Sequence, residues 1–152
     1  MIIAQISDTH IDPDHPNSAQ RLRDVERVVA AINALDPAPD VVIHTGDMAH
    51  NGTSEKYEVA LDILRKLCIP LHAAVGNRDD RALIRANFPT GRDLMPGMDF
   101  LQYEVDDHPI RLIALDTLSG ESNMGDYCEN RAQCLSQALN ARIDKPCVLF
   151  MH

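Results

Sequence analysis

The chain has 152 residues, 45% of them hydrophobic and 24% charged, with a formal net charge of -9, which is enough for one soluble domain with its own core. That acidity argues against a nucleic-acid polymer or an anionic membrane as partner, because either demands a basic face. No stretch reaches the ~20 apolar residues of a membrane span, and Met1 leads straight into an apolar run with no basic leader, so a cytoplasmic protein is expected.

Ile2 to Ser7 reads as a buried first strand, and Asp8-Thr9-His10 follows it. In extended backbone, residues two apart point the same way, so Asp8 and His10 are expected on one side. A carboxylate beside an imidazole suits a first-row divalent ion, although a lone Asp-x-His is more plainly a cap or turn. Ile11 to Asn17 is a loop by its prolines and aspartates, with His15 expected at its surface. Asn17 or Ser18 can cap a helix that carries Leu22, Val25, Val29 and Ile32, and Asp36-Pro37 stops it.

Asp40 to Thr45 is a second apolar strand running into Gly46-Asp47, where glycine permits a sharp turn. His50 and Asn51 continue that loop and are candidates to border whatever binds at Asp47. A second helix follows a Thr53 or Ser54 cap, with Tyr57, Leu61, Leu64 and Cys68 facing the core. Ile69 to Val75 is the third strand, with His72 packed inside it and Gly76-Asn77-Arg78-Asp79 at its end. Asp79 or Asp80 starts a short helix through Leu83 and Ile84. Three alternations of strand and helix predict a parallel sheet whose functional groups collect at its carboxyl ends.

Thr90 to Gly97 reads as a loop. Leu101, Tyr103 and Val105 alternate with polar residues, and with the apolar run Ile110 to Leu115 they predict an antiparallel hairpin in a second sheet. Asp116-Thr117 is read as a turn, or as support from behind the site. Ala132, Leu135, Leu139 and Ile143 mark a last helix, and Pro146 to Met151 a last strand that ends at His152. Cys68, Cys128, Cys134 and Cys147 make no Cys-x-x-Cys pair and are expected as reduced thiols.

Asp8, His10, Asp47, Asn77 and His152 each follow an apolar strand, so a parallel sheet would gather them along one rim. Their number and type fit two divalent ions, such as Mn, Fe or Zn, sharing a carboxylate at ~3.5–4 Å separation. That arrangement serves hydrolysis of a phosphate ester.

In order and spacing, Asp8-Thr9-His10, Gly46-Asp47, Gly76-Asn77 and the strand-final His152 resemble successive motifs of the calcineurin-like metallophosphoesterases. Asp116-Thr117 after an apolar strand, with the later Phe-Met-His, resembles their class III cyclic-nucleotide phosphodiesterase branch. The resemblance implies an α/β fold of two packed mixed sheets flanked by helices, and a phosphodiesterase acting on a small phosphate ester such as cyclic AMP. It also implies that Asp8 and His10 bind a first metal, that Asp47 bridges, and that Asn77 and His152 bind a second. Asn77 and Arg78 become the candidate catalytic residues, and Arg78, His50 and Asn51 the candidate substrate contacts.

Two positions depart from the family pattern. Arg78 stands where the family has histidine; it can neutralise a phosphate oxygen but cannot easily donate a proton, or it is a surface partner of Asp79 or Asp80. The Gly-His-x-His segment that follows in the family has no counterpart in residues 1–152. The expectation is therefore a fold incomplete at its C-terminus, with three ligands per ion and a homo-oligomer covering the open sheet. The alternative is a catalytically impaired domain acting at most as a metal-binding or assembly module.

Overall fold

The computed structural model describes residues 1–152. β1 (Ile3–Ile6), β2 (Val41–His44) and β3 (Leu71–Ala73) form a parallel sheet in the order β1-β2-β3, in register from Ile3 opposite Val41 and from Val42 opposite Leu71. α1 (Ser18–Asn33) and α2 (Ser54–Leu64) make the two crossovers. α1 buries Val25, Val29 and Ile32, the spacing of one helical face. The central strand β2 is buried at every residue, which is why it reads as a continuous apolar run. Cys68 does not join the α2 face; it lies exposed beyond the helix. α3 (Arg81–Asn87) is capped by Asp80, whose side chain accepts from Leu83 N–H at 2.9 Å.

β4 (Arg92–Asp93), β5 (Tyr103–Val105), β6 (Arg111–Ala114) and β7 (Cys147–Phe150) form a mixed second sheet in that order. β4 lies within the stretch expected to be a loop. Two residues are too few to show a period, and only the ladder to β5 reveals them. β5 and β6 are the antiparallel hairpin, and β7 runs parallel to β6. His152 therefore ends a strand of the second sheet, not a fourth strand of the first. Tyr103, Val105, Leu112, Ala114 and Phe150 pack in one continuous core with the first sheet, and Tyr103 O–H donates to Ala73 O at 2.8 Å across the two layers.

The opposite face of the second sheet carries Gln102, Glu104 and Arg111, all buried against α4 (Glu129–Ala141). Arg111 donates to Glu104 and to Ala138 O, both at 2.9 Å, so this layer is joined by hydrogen bonds rather than by an apolar stripe. The predicted α4 face is thereby off register. Arg131 and Ala138 are buried, Ala132 is exposed, and Ile143 lies past the helix end at 88% exposure. Asp116 is no simple turn: it is fully buried, gripped by Arg81 at 2.7 and 3.0 Å, and accepts from Leu101 and Leu118 N–H. All four cysteines are free thiols, and no helix is long and apolar enough to cross a membrane.

Candidate metal centre

The chains leaving β1 and β2 stay paired beyond the strands. Thr45 N–H donates to Ile6 O, Asp8 N–H to Gly46 O, His10 N–H to Asp47 O and Ile11 N–H to Met48 O, at 2.9–3.0 Å. Within this double loop Asp8, His10 and Asp47 have φ of 54°, 42° and 55°. Left-handed backbone costs a non-glycine residue about 1–2 kcal/mol, so such residues persist only where their surroundings hold them. Asp8 and His10 thus converge through left-handed turns, not through the strand alternation expected for them.

His10 Nε2 lies 3.7 Å from Asp8 Oδ1 and 3.6 Å from Asp47 Oδ2. The other oxygen, Asp47 Oδ1, is 3.6 Å from His152 Nε2, which is 3.0 Å from Asn77 Oδ1. His152 reaches this place because its Nδ1 meets Thr45 O at 3.0 Å and Thr117 O–H donates to its carbonyl at 2.9 Å. Close approach also needs two glycines. A Cβ on Gly76 would sit 2.2 Å from Asp47 N, and one on Gly46 would sit 2.9 Å from His152 Cβ.

The donor chemistry fits cations. Asp47 is a buried carboxylate whose only ion-pair partners are His10 and His152, with no lysine ammonium or arginine guanidinium paired to it; a buried charge so placed is costly unless a cation meets it. A carbonyl can only accept, so His152 Nδ1–H donates to Thr45 O, which turns Nε2 toward Asn77 Oδ1 at 3.0 Å and Asp47 Oδ1 at 3.6 Å. A carboxylate oxygen, an amide oxygen and an imidazole nitrogen gathered in this way are the donor types that first-row divalent ions take. Donors 3.0–3.7 Å apart can also share an ion at bond lengths of ~2.0–2.2 Å.

Of the other predicted residues, Arg78 and His50 border this group. Arg78 N–H donates to Asp47 Oδ1 at 2.8 Å, while its guanidinium pairs with neither Asp79 nor Asp80. The His50 ring lies 5.8 Å from that of His10, and Asn51 is left-handed at φ 59°. His15 stays at a distance, its Nδ1 accepting from Asn17 N–H at 3.0 Å. A groove of about 550 Å³ opens beside Asp8 and His10, between β1 and α1.

The sequence did not point to His44. It is fully buried and neutral: burial lowers its pKa from 6.5 to about 4. Gly46 N–H donates to its Nδ1 at 3.2 Å, which leaves Nε2–H to donate to Thr9 Oγ1 at 3.1 Å; Thr9 O–H donates on to Met48 O at 2.9 Å. His44 thereby tethers the turn between Asp8 and His10. A histidine at the end of a wholly apolar strand was the only available signal.

The family model for calcineurin-like phosphoesterases matches residues 1–139. The chain belongs to that family. The chain is 33% identical over 155 residues to a probable glycerophosphodiester phosphodiesterase of Arcobacter nitrofigilis, covering 100% of the chain and 56% of the relative. It is 34% identical over 128 residues to a probable cyclic nucleotide phosphodiesterase of Rhodopseudomonas palustris, covering 82% of the chain and 46% of the relative. The chain thus spans about half the length of the curated relatives it matches. Among solved structures, the phosphopantetheinyl hydrolase of Mycobacterium tuberculosis shares the fold, with TM-score 0.50 and 17% identity over 99% of this chain and 67% of that one. Members of the family use divalent metals, and Asp8, His10 and Asp47 are the acidic and imidazole group that this chain brings together.

Proposed function

We propose that this phosphoesterase hydrolyses a small phosphodiester at two divalent ions, the first held by Asp8, His10 and Asp47 and the second by Asp47, Asn77 and His152. One observation carries the reading: the two carboxylate oxygens of Asp47 face different histidines, each at 3.6 Å. When bound, such ions hold phosphoryl oxygens and bring the pKa of a water toward ~7.

The chain's own residues supply the rest. Asp47 ties the two positions together, and Asn77 presents its amide oxygen because Asn123 holds its nitrogen. Arg78 has its backbone on Asp47 and a free guanidinium, so it is placed to neutralise a phosphate oxygen while keeping its own proton. His50, whose ring lies 5.8 Å from that of His10, borders the first position, and with Asn51 of the same loop it takes the ester's organic part. Manganese, iron and zinc all accept this oxygen and imidazole set.

For the substrate, a glycerophosphodiester comes first. Two relatives named for that activity align with the entire chain, at 33% and 32% identity, whereas the cyclic nucleotide relative at 34% covers 82% of it. A cyclic nucleotide such as cyclic AMP is the second reading. The test is turnover of bis(p-nitrophenyl) phosphate, a glycerophosphodiester and cyclic AMP by protein loaded with Mn(II). Asp47→Ala is expected at background on all three. Protein with two bound ions that turns over none of them would refute the proposal.

A further inference from the structure

Of the two residues offered as the start of α3, Asp79 and Asp80, it is Asp80 that caps the helix, which leaves Asp79 free for another role. Its carboxylate turns inward and gathers five donors. Oδ2 accepts Asp47 N–H at 2.8 Å and Gly76 N–H at 2.9 Å. Oδ1 accepts Met48 N–H at 3.0 Å, Ala49 N–H at 3.4 Å and Tyr57 O–H at 2.7 Å. Three successive amides, from Asp47 to Ala49, thus aim at one anion from a turn whose first residue is left-handed at φ 55°.

The two oxygens do different work. Oδ2 accepts from both turns at once, Asp47 N–H from the one after β2 and Gly76 N–H from the one after β3, and it stands beside the separate tie of Arg78 N–H to Asp47 Oδ1. Oδ1 fastens the next part of the first turn to Tyr57 of α2. We propose that Asp79 is a positioning residue: through Oδ2 it sets the spacing between Asp47 and Asn77, and so the affinity of the second ion position. This rests on the two-ion reading for its metal arm, but the clamp itself is a property of the metal-free protein.

Asp79→Asn tests it. An amide keeps one accepting oxygen, so it can hold either the Gly76 and Asp47 amides or the Met48, Ala49 and Tyr57 donors, but not both sets. Tyr57→Phe removes one Oδ1 donor and leaves the Oδ2 link whole. In metal-free protein, hydrogen exchange of the Asp47 and Gly76 amides is expected to be slow in the wild type and in Tyr57→Phe, and faster in Asp79→Asn. By calorimetric titration with Mn(II), Asp79→Asn is expected to bind the second ion 10- to 100-fold more weakly, with Tyr57→Phe within about twofold of the wild type.

Fast exchange at both amides in the wild type overturns the inference. So does unchanged Mn(II) affinity in a folded Asp79→Asn, or an equal loss in both variants, which would mark general loosening. Should Asp79→Asn fail to fold, Asp79→Glu keeps the charge, displaces it by one methylene, and takes the same two measurements with the same expected losses. A wild type that binds no second ion defeats the two-ion reading, and the exchange measurements still decide the clamp.

Discussion

Asp47 is buried in a left-handed turn with only histidines for ion-pair partners, and its neighbours tolerate little change. Gly76→Ala places a methyl group 2.3 Å from Asp47 Oδ1, closer than carbon and oxygen can approach. The expected cost is about 3 kcal/mol or more, read by urea denaturation of the metal-free protein. Arg78→Ala is expected to lower kcat/KM on a phosphodiester about 10²-fold, with stability unchanged, because its guanidinium makes no internal bond. His44 gives a pH signature. As pH falls, the unfolded chain takes up a proton near 6.5, whereas the buried ring does so only near 4. Its contribution to stability is therefore fully present above pH 6.5 and is lost between 6.5 and 4, at about 1.4 kcal/mol per pH unit. His44→Gln in the presence of a chelator should remove that slope from the denaturation midpoints.

At the level of elements, the segment Thr117 to Asp126 forms a wall beside Asn77 and His152, and ion pairs hold it at both ends. Asp116 grips Arg81 at its start; Arg131, 1% exposed, donates to Asp116 O and Leu118 O and pairs with Asp126 at its finish. The Phe100 ring lies beneath the Arg81 and Arg131 guanidiniums at 5.5 and 4.6 Å. Asp116→Ala is expected to cost 3–5 kcal/mol, since it strands two partly or fully buried cations, by about the amount typical of a broken buried pair. Ile143→Ser should lie within about 0.5 kcal/mol of the wild type by the same denaturation, because that side chain packs on nothing. In α4 the buried face departs from the apolar period. Periodicity counts apolar residues, and the contacts that seat this helix are made by Arg111, Gln102 and Arg131.

Across the whole molecule, the two sheets share a core but leave outer strands open. β1 pairs only with β2, and β7 only with β6. Exposed Ile2 and Val28 flank the first edge, and Leu149 and Met151 the second. Unpaired strand edges beside apolar side chains favour association. Residues 1–152 as a separate protein are therefore expected to self-associate with rising concentration, and sedimentation velocity checks this. A monomer at all concentrations would show that these edges are adequately protected as they stand.

The sequence by itself determined the alternation of strands and helices, the hairpin of the second sheet, and the residues that close each apolar strand, because hydrophobic period and post-strand chemistry are local properties. Tertiary structure alone decided that His152 arrives from the opposite sheet, that Asp8 and His10 converge through left-handed turns, and that His44, Asp79 and Asp116 work from below the surface. Those outcomes depend on hydrogen bonds between segments up to 107 positions apart. A one-dimensional pattern carries no record of which backbone amide will find which carboxylate.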